Sequence, residues 1–484
     1  MGMRKKNPLY RHERDTLGSV RVPVAAYYGA QTARAFHNFP ISAIRPRTVF
    51  IQATAMVKKA AAEANSALGL LDRRTARAVI RAADEIIRGR FHAEFIVDAF
   101  QAGAGTSHNM NSNEVIANRA IEVLGGSRGD YSIVHPNDHV NMSQSTNDVF
   151  PTAMRIAALV SSERLLEGLF GLRDEMKRKS REFRDVVKSG RTHLQDAVPV
   201  TLGQEFGSYA STVESSIGRV RRASEGLKRI GLGGTAAGTG INTHPLYRGL
   251  VLKRLKAVTG IKGLRPAPDA FEALNSMTDF SSFSGALKDT ALDLIKTAND
   301  LRLLSSGPST GLSEIRLPPV QPGSSIMPGK VNPVMAEMLN MVCFQVVGND
   351  LAVTLAAQAG QLELNVMGPV VNHNILGSLD ILSNAITAFT GRCVKGIRAD
   401  EERCARYFEA SSGLATALNP FIGYEAAAVV AKEAASSGKT VREAVIGKGI
   451  LTAEEAEKLL GPSKVTAPRD LRKEIRSFKK RRRF

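Results

Sequence analysis

The chain is 484 residues long, 43% hydrophobic and carries a formal net charge of +19. That size and apolar content exclude a small stapled domain and a disordered chain, and lead us to expect two to four domains. Its three cysteines, Cys343, Cys393 and Cys404, form no C-x-x-C pair. They exclude a disulfide framework and a cysteine-based zinc site, and fit a reducing, cytoplasmic setting.

Met1–Arg14 is polar and basic without an apolar centre, so it does not read as a signal peptide. No apolar run approaches the roughly 20 residues of a membrane span, so no membrane partner is expected. Residues 1–142 mix helices with polar loops and form a first expected domain. Residues 143–397 are dominated by long helical patterns: Thr152 to Ser189, Gly203 to Ile230, Gly285 to Ser306 and Val334 to Gly360. At about 1.5 Å per residue these span roughly 30–55 Å. Helices of that length need equally long partners, which implies a bundle and often an oligomer. Met335–Leu351 is apolar around most of its girth and is expected to be buried on most sides, as it would be against other subunits.

Strand signals are scarce, short and confined to the ends, so the predicted class is mainly α. A third region, 398–484, reads as a small helical cap that includes Thr452–Leu460. It closes on Lys479-Lys480-Arg481-Arg482-Arg483. That run reads as a solvated, disordered end. A nucleic-acid contact is the sharper reading, but no aromatic-interleaved basic motif or zinc finger supports it, so a nucleic-acid partner is not expected.

Four polar stretches, three of them containing Gly, concentrate the chemistry. Gly323-Ser324-Ser325-Ile326-Met327-Pro328-Gly329-Lys330-Val331-Asn332-Pro333 is a loop by its Gly and Pro content and runs into the helix former Val334–Leu339. A loop with free amide N–H groups and a Lys can hold an anion, and its hydroxyls are candidates for proton chemistry. Gly103–Asn111, His135–Asp148 and Gly190–Asp196 each gather hydroxyls and amides at a predicted helix edge. Neutral donors of this kind can ligate a carboxylate without placing a fixed positive charge on it. Far apart in sequence and similar in chemistry, the four suggest one composite pocket.

Three other strings invite sharper readings that the residues do not support. Gly231-Leu232-Gly233-Gly234-Thr235-Ala236 mimics a dinucleotide fingerprint but lacks a preceding strand, because Ser224–Ile230 reads as helix. Gly438-Lys439-Thr440 mimics the end of a P-loop, yet Glu433 stands where its first Gly is required. His135 and His139 lack an evident third ligand, so a polar loop explains them better than a metal site.

The loop 323–333 resembles the signature of the aspartase/fumarase superfamily, and the other three stretches match that superfamily's regions in order and spacing over nearly the whole chain. The resemblance implies three α-helical domains per subunit, a twenty-helix core in a homotetramer, and active sites assembled from three subunits. It implies a small dicarboxylate substrate and needs no cofactor and no metal. By resemblance Ser324 is the base. Ser325, Thr106, Ser145 and Thr146 would hold the carboxylate that becomes an aci-carboxylate, and Thr192, Lys330 and Asn332 the other. Asn147 and His193 would contact the leaving group, with Glu337 orienting His193. The Gly-flanked loop around Ser324 is expected to close over substrate.

The choice of leaving group draws on two subfamilies. Ala104–Ser107, Ser145–Asn147, Leu303–Pro308 and Ala359–Met367 look like aspartate ammonia-lyases. Asn242–Pro245, Phe271–Leu274 and His135–Ser143 look like fumarases. Weighting the pocket residues favours ammonia elimination from L-aspartate, with malate dehydration as the alternative. His108 follows neither pattern and leaves room for an N-substituted aspartate. A non-catalytic or nucleic-acid-binding relative is a further alternative, against which the intact Ser324, Lys330, Asn332 and His193 argue.

Overall fold

Residues 9–481 are described by the computed structural model. They bear out the mainly α class: among them, strands form only four two-stranded pairs. Of the basic N-terminal stretch, Met1–Pro8 lies outside the described residues, and Tyr10–Asp15 pairs antiparallel with Gly18–Pro23.

Five long helices dominate: Thr146–Glu182, Leu202–Leu227, Thr278–Leu304, Val334–Gln358 and Gly368–Arg392. Several expectations need correction. Strands are not confined to the ends, because Val187–Thr192 and Gln195–Thr201 form a mid-chain hairpin, which also ends the preceding helix before Ser189. The predicted helix 203–230 stops at Leu227, since Arg229–Ile230 pairs in parallel with Arg265–Pro266. The helix Gly368–Arg392 was not anticipated. The basic tail is not irregular throughout: Arg472–Arg481 is helical, with Phe478 buried and meeting Phe421 edge to face at a ring-centre distance of 5.6 Å. Arg482–Phe484 lies outside the described residues.

The chain divides into two compact units. The first comprises Met1–Glu167, Ser216–Ala291 and Val342–Ser383. Part of its core is built by the helices Thr48–Ala67, Arg73–Ile87 and Thr106–Val123, through Ile51, Val79, Ile86, Val115, Ile116 and Ile121. Ala55, Ala62, Ala76, Ala82 and Ala83 lie in the same core. Such small side chains let helix axes approach to the short end of the usual 8–10 Å. The helix Ala30–Asn38 begins at Gly29, which has no capping side chain. Remote carboxylates serve instead: Glu114 accepts from the amides of Gly29, Gln31 and Thr32, and Glu13 from that of Ala30. These satisfy amides that a helix start leaves without partners.

The second unit comprises Gly168–Ser215, Leu292–Met341 and Asn384–Phe484. Leu414, Leu418, Val430, Val445 and Leu460 lie at the centre of its C-terminal core. Short helices there are punctuated locally. Gly438 ends Tyr424–Ser437 at φ 68°, and Thr440 opens Val441–Gly447 in a capping box with Glu443. That geometry accounts for the P-loop mimic. Thr452 and Glu455 make the second box, at the start of Ala453–Leu460.

Candidate active site

The candidate residues fall into two sets, one in each unit. In the first unit Thr106 opens the helix Thr106–Val123 and is exposed. The turn before it depends on Gly105, which sits at φ 84° and where a Cβ would come within 2.1 Å of the Phe150 ring. Ser145 and Thr146 stand at the start of the 37-residue helix Thr146–Glu182. A helix N-terminus favours an anion by about 0.3–1 kcal/mol.

The acceptor capacity of these hydroxyls is partly filled from inside the protein. Ser145 Oγ accepts from the Asn147 amide at 3.2 Å, and Thr146 Oγ1 accepts from Asn109 Nδ2 at 3.0 Å. Each keeps its own O–H to donate, which is the role a carboxylate requires. Asn147 Nδ2 donates to the Ala236 carbonyl at 2.8 Å.

Behind Thr146 lies a buried polar network. Asn141 Oδ1 takes hydrogen bonds from Asn109 at 3.2 Å, Asn113 at 3.3 Å and Lys58 Nζ at 2.8 Å. Lys58 is fully buried, and desolvation pulls its ammonium down to about 7 against the opposing pull of Asp148. Asp148 is also fully buried, and desolvation raises it to about 6 although three amide N–H groups favour its charge. Two of these amides belong to Gly233 and Thr235, at 2.9 and 3.0 Å. The Gly231–Ala236 turn therefore does follow a short strand, contrary to the sequence reading, but its amides hold a side chain of the protein itself.

One expectation about the histidines of this unit changes, and the other holds. His108 does not face a substrate: it is 1% exposed, stacked at 4.5 Å on Phe50, and held neutral by burial, at about 3. It therefore gives no reason to expect a modified substrate. His135 and His139 each turn a ring nitrogen inward. His139 Nδ1 accepts from the His135 amide, and His135 Nδ1 from the amides of Asn137 and Asp138.

In the second unit Thr192 and His193 sit on the mid-chain hairpin, not at a helix edge. Thr192 pairs with Gln195, and His193 and Leu194 form the two-residue turn at φ 54° and 61°. Positive φ at both central residues is the type I′ signature that matches strand twist. Left-handed backbone costs a non-Gly residue roughly 1–2 kcal/mol, and Leu194 is 71% exposed, so its side chain gains little packing in return. Strain of this kind is found where function over-determines the backbone.

The loop 323–333 is closed at its neck. Gly323 N–H donates to the Lys330 carbonyl at 2.8 Å, and Asn332 Nδ2 to the Gly323 carbonyl at 2.7 Å. A Cβ on Gly323 would lie 2.6 Å from the Lys330 oxygen, so only Gly fits. Within the loop Ser324 Oγ accepts two amide N–H groups, from Ile326 at 3.2 Å and Met327 at 3.0 Å. Ser325 and Lys330 are exposed, and Glu337 lies in the first turn of Val334–Gln358. Among the described residues of this single chain, Glu337 and His193 share no hydrogen bond.

The sequence reading passed over Lys58, Asn109, Asn141 and Asp148 as contributors. Asn109, Asn141 and Asp148 lay inside the quoted polar stretches, and their signal was amide and carboxylate density beside a hydroxyl pair. Lys58 offered none, because Lys58-Lys59 in an Ala-rich helix reads as a solvated face.

Comparison with known proteins adds a second line. The family model described as lyase matches residues 18–348, and that described as fumarase C C-terminus matches 414–467. The chain is 51% identical to an aspartate ammonia-lyase of Pseudomonas aeruginosa, over 95% of this chain and 97% of that one. It superposes on a fumarate lyase:delta crystallin of Brucella melitensis, solved bound to cobalt. There the TM-score is 0.93 and the identity 50%, over 95% of this chain and 100% of that one. Against a class II fumarase of Schistosoma mansoni the TM-score is 0.92 and the identity 37%, over the same shares.

Proposed function

The chain belongs to the lyase family, within the aspartase/fumarase superfamily, and on that premise we propose that it is an aspartate ammonia-lyase, converting L-aspartate reversibly to fumarate and ammonia. Identity is higher to the aspartase above, 51%, than to the fumarase, 37%.

The chemical difficulty is a proton that lies α to a carboxylate. Its removal leaves an aci-carboxylate with about two negative charges on one group, so catalysis needs donors that bind the intermediate better than the ground state. Ser324 takes that proton, the C–H electron pair moves into the carboxylate, and the returning pair forms C=C as the C–N bond breaks and ammonia leaves. The observation that carries this reading is the pair of amide N–H groups on Ser324 Oγ. A serine hydroxyl is a weak base unless ionised, and two aimed dipoles lower the cost of its alkoxide.

Thr106, Ser145, Thr146 and Ser325 hold the carboxylate that becomes the aci form, and Thr192, Lys330 and Asn332 hold the other. One amide hydrogen of Asn332 is spent on the loop neck, so its contact uses the second. Asn147 and His193 meet the amine.

The active protein is a homotetramer, in the cytoplasm, with each site assembled from three copies. Glu337 then orients a His193 of another copy, which accounts for their lack of contact within one chain. Val334–Gln358 is long and apolar enough to cross a membrane by composition. That corrects the expectation that no apolar run approaches a membrane span; the helix's exposed Met341, Phe344, Leu351 and Leu355 fall on one stripe, which neighbouring copies cover in the tetramer. The regions 1–142, 143–397 and 398–484 serve as the three domains of each subunit.

The test is fumarate formation, followed at 240 nm, with L-aspartate and L-malate supplied separately, alongside the solution mass of the protein. Turnover of aspartate alone by a tetramer supports the reading. Turnover of malate alone replaces it with a hydratase.

A further inference from the structure

The hairpin carrying Thr192 and His193 is anchored by a carboxylate to which neither the reaction nor the resemblance assigns a role. Glu314 is 0% exposed. Its backbone is fixed on both sides, with its N–H on the Leu304 carbonyl and its carbonyl receiving the Asp400 amide, each at 2.9 Å. Its Oε1 accepts from Arg191 Nη1 at 2.8 Å. Lys188, 1% exposed, hydrogen-bonds Glu205 Oε1 at 2.7 Å and lies 2.9 Å from Glu314 Oε2 in an ion pair of poorer alignment. Two cations and two carboxylates thus balance in a cluster whose centre, Glu314 and Lys188, is buried and whose rim, Arg191 and Glu205, is partly exposed. Breaking one member of such a cluster is costly because it strands the others.

One carboxylate reaches both cations of the first hairpin strand. Residues 188 and 191 are an odd number apart, and in a regular strand they would point to opposite faces. The register of the hairpin shifts between Ser189 and Arg191. Across that shift Ala197 and Val198 of the second strand stand opposite the single residue Gly190, so the second strand is bulged and the hairpin twists more strongly there; Lys188 and Arg191 both meet Glu314. A Cβ on Gly190 would come within 2.6 Å of the Val198 carbonyl, so Gly190 lets the bulged strand close against it. Arg191 leads directly into Thr192 and the strained turn at His193-Leu194, which has no buried apolar anchor at its tip.

We infer that Glu314 is a positioning residue. Through Arg191 and Lys188 it holds the strand Val187–Thr192 so that Thr192 and His193 present their side chains at fixed places. It touches no reacting atom. The inference rests on the reading above that Thr192 and His193 meet substrate, and it deepens that reading by naming what orients them.

A double-mutant cycle tests it on the full-length protein with L-aspartate as the substrate. Glu314→Gln keeps the shape and removes the charge, and Thr192→Ala removes the group it positions. Each alone is expected to lower kcat/KM by about 10²-fold, the size of effect that a small misplacement of a binding group produces. The double variant is expected to fall little below Thr192→Ala, because residues that act as a unit are not additive. Multiplicative losses would overturn the inference while leaving Thr192 in the site. An unchanged kcat/KM for Thr192→Ala would overturn the reading and the inference together.

Should Glu314→Gln fail to fold, Arg191→Lys takes its place in the cycle. It keeps the cation and loses the guanidinium fork, and the same non-additivity with Thr192→Ala is expected, with multiplicative losses again decisive against. Gly190→Ala reports independently on the bulge, with an expected loss of about tenfold or more in kcat/KM. Full activity in that variant would also overturn the inference.

Discussion

Asn109 fills the acceptor side of Thr146: its Nδ2 donates to Thr146 Oγ1 at 3.0 Å and is itself held by Asn141 Oδ1 at 3.2 Å. The hydroxyl proton of Thr146 is thereby left to point away from the protein interior. Replacing Asn109 with Ala frees that oxygen and lets the hydroxyl rotate inward. The expected loss is about tenfold in kcat/KM for L-aspartate, the equivalent of one hydrogen bond. Steady-state kinetics check this, and an unchanged kcat/KM would remove Asn109 from any part in the site.

Ser324→Ala is expected to reduce kcat by at least about 10³-fold while a non-reacting dicarboxylate still binds, since the loop neck through Gly323 and Asn332 does not involve the hydroxyl. Calorimetric titration of the inactive variant with such an analogue reads the second half of the statement. A near-normal kcat would sink the base assignment.

Lys330→Ala removes an exposed cation from the same loop without touching the neck, which uses only the backbone carbonyl of that residue. A charge-assisted bond to a carboxylate is worth about 1.5–3 kcal/mol. The expected outcome is a fall of about 10²-fold in kcat/KM, and saturation kinetics on L-aspartate measure it.

Gly105→Ala combines two costs, a left-handed φ of 84° and a Cβ 2.1 Å from the Phe150 ring. Because the turn also delivers Thr106, activity and stability should fall together. A loss of about 2–4 kcal/mol is expected from clash plus backbone strain. Urea unfolding gives the number, and a change under about 0.5 kcal/mol would mean the turn relaxes freely.

The buried Lys58 makes stability depend on pH. Its folded-state value near 7 lies below the ordinary 10.5. Between those values the unfolded chain holds a proton that the native state has released, so stability rises with pH across the window. Below pH 7 both states are charged and that contribution is gone. Lys58→Met removes the linkage. The difference in unfolding free energy between wild type and variant should shift toward wild type by up to about 1.4 kcal/mol per pH unit above 7. A pH-independent difference would contradict a neutral buried amine.

Much of this could be read from residue order alone, and the exceptions share a cause. Val334–Gln358 was legible because its apolar residues wind around an uninterrupted helix, and the 323–333 loop because Gly and Pro punctuate it. The hairpin Val187–Thr201 was not. Its first strand, Val-Lys-Ser-Gly-Arg-Thr, has no apolar alternation because its buried face is made of ions, and a bulge breaks the period of its partner strand. Gly368–Arg392 hid behind Asn372, His373, Asn374 and Gly377, polar or flexible residues inside a helix. Lys58 and Glu314 declare nothing locally: a buried charge is recognisable only once its distant partner is known.

The turn at Gly231–Ala236 has a consequence for ligand choice. Its inward amides on Gly233 and Thr235 already face Asp148. A carboxylate tethered to the same chain competes at an effective concentration that a freely diffusing phosphate does not reach. A nucleotide arriving there would have to evict Asp148 and strand a buried carboxylate at a cost of several kcal/mol. The glycine-rich turn is in that sense self-inhibited: its anion was supplied at synthesis, and its specificity is for the fold.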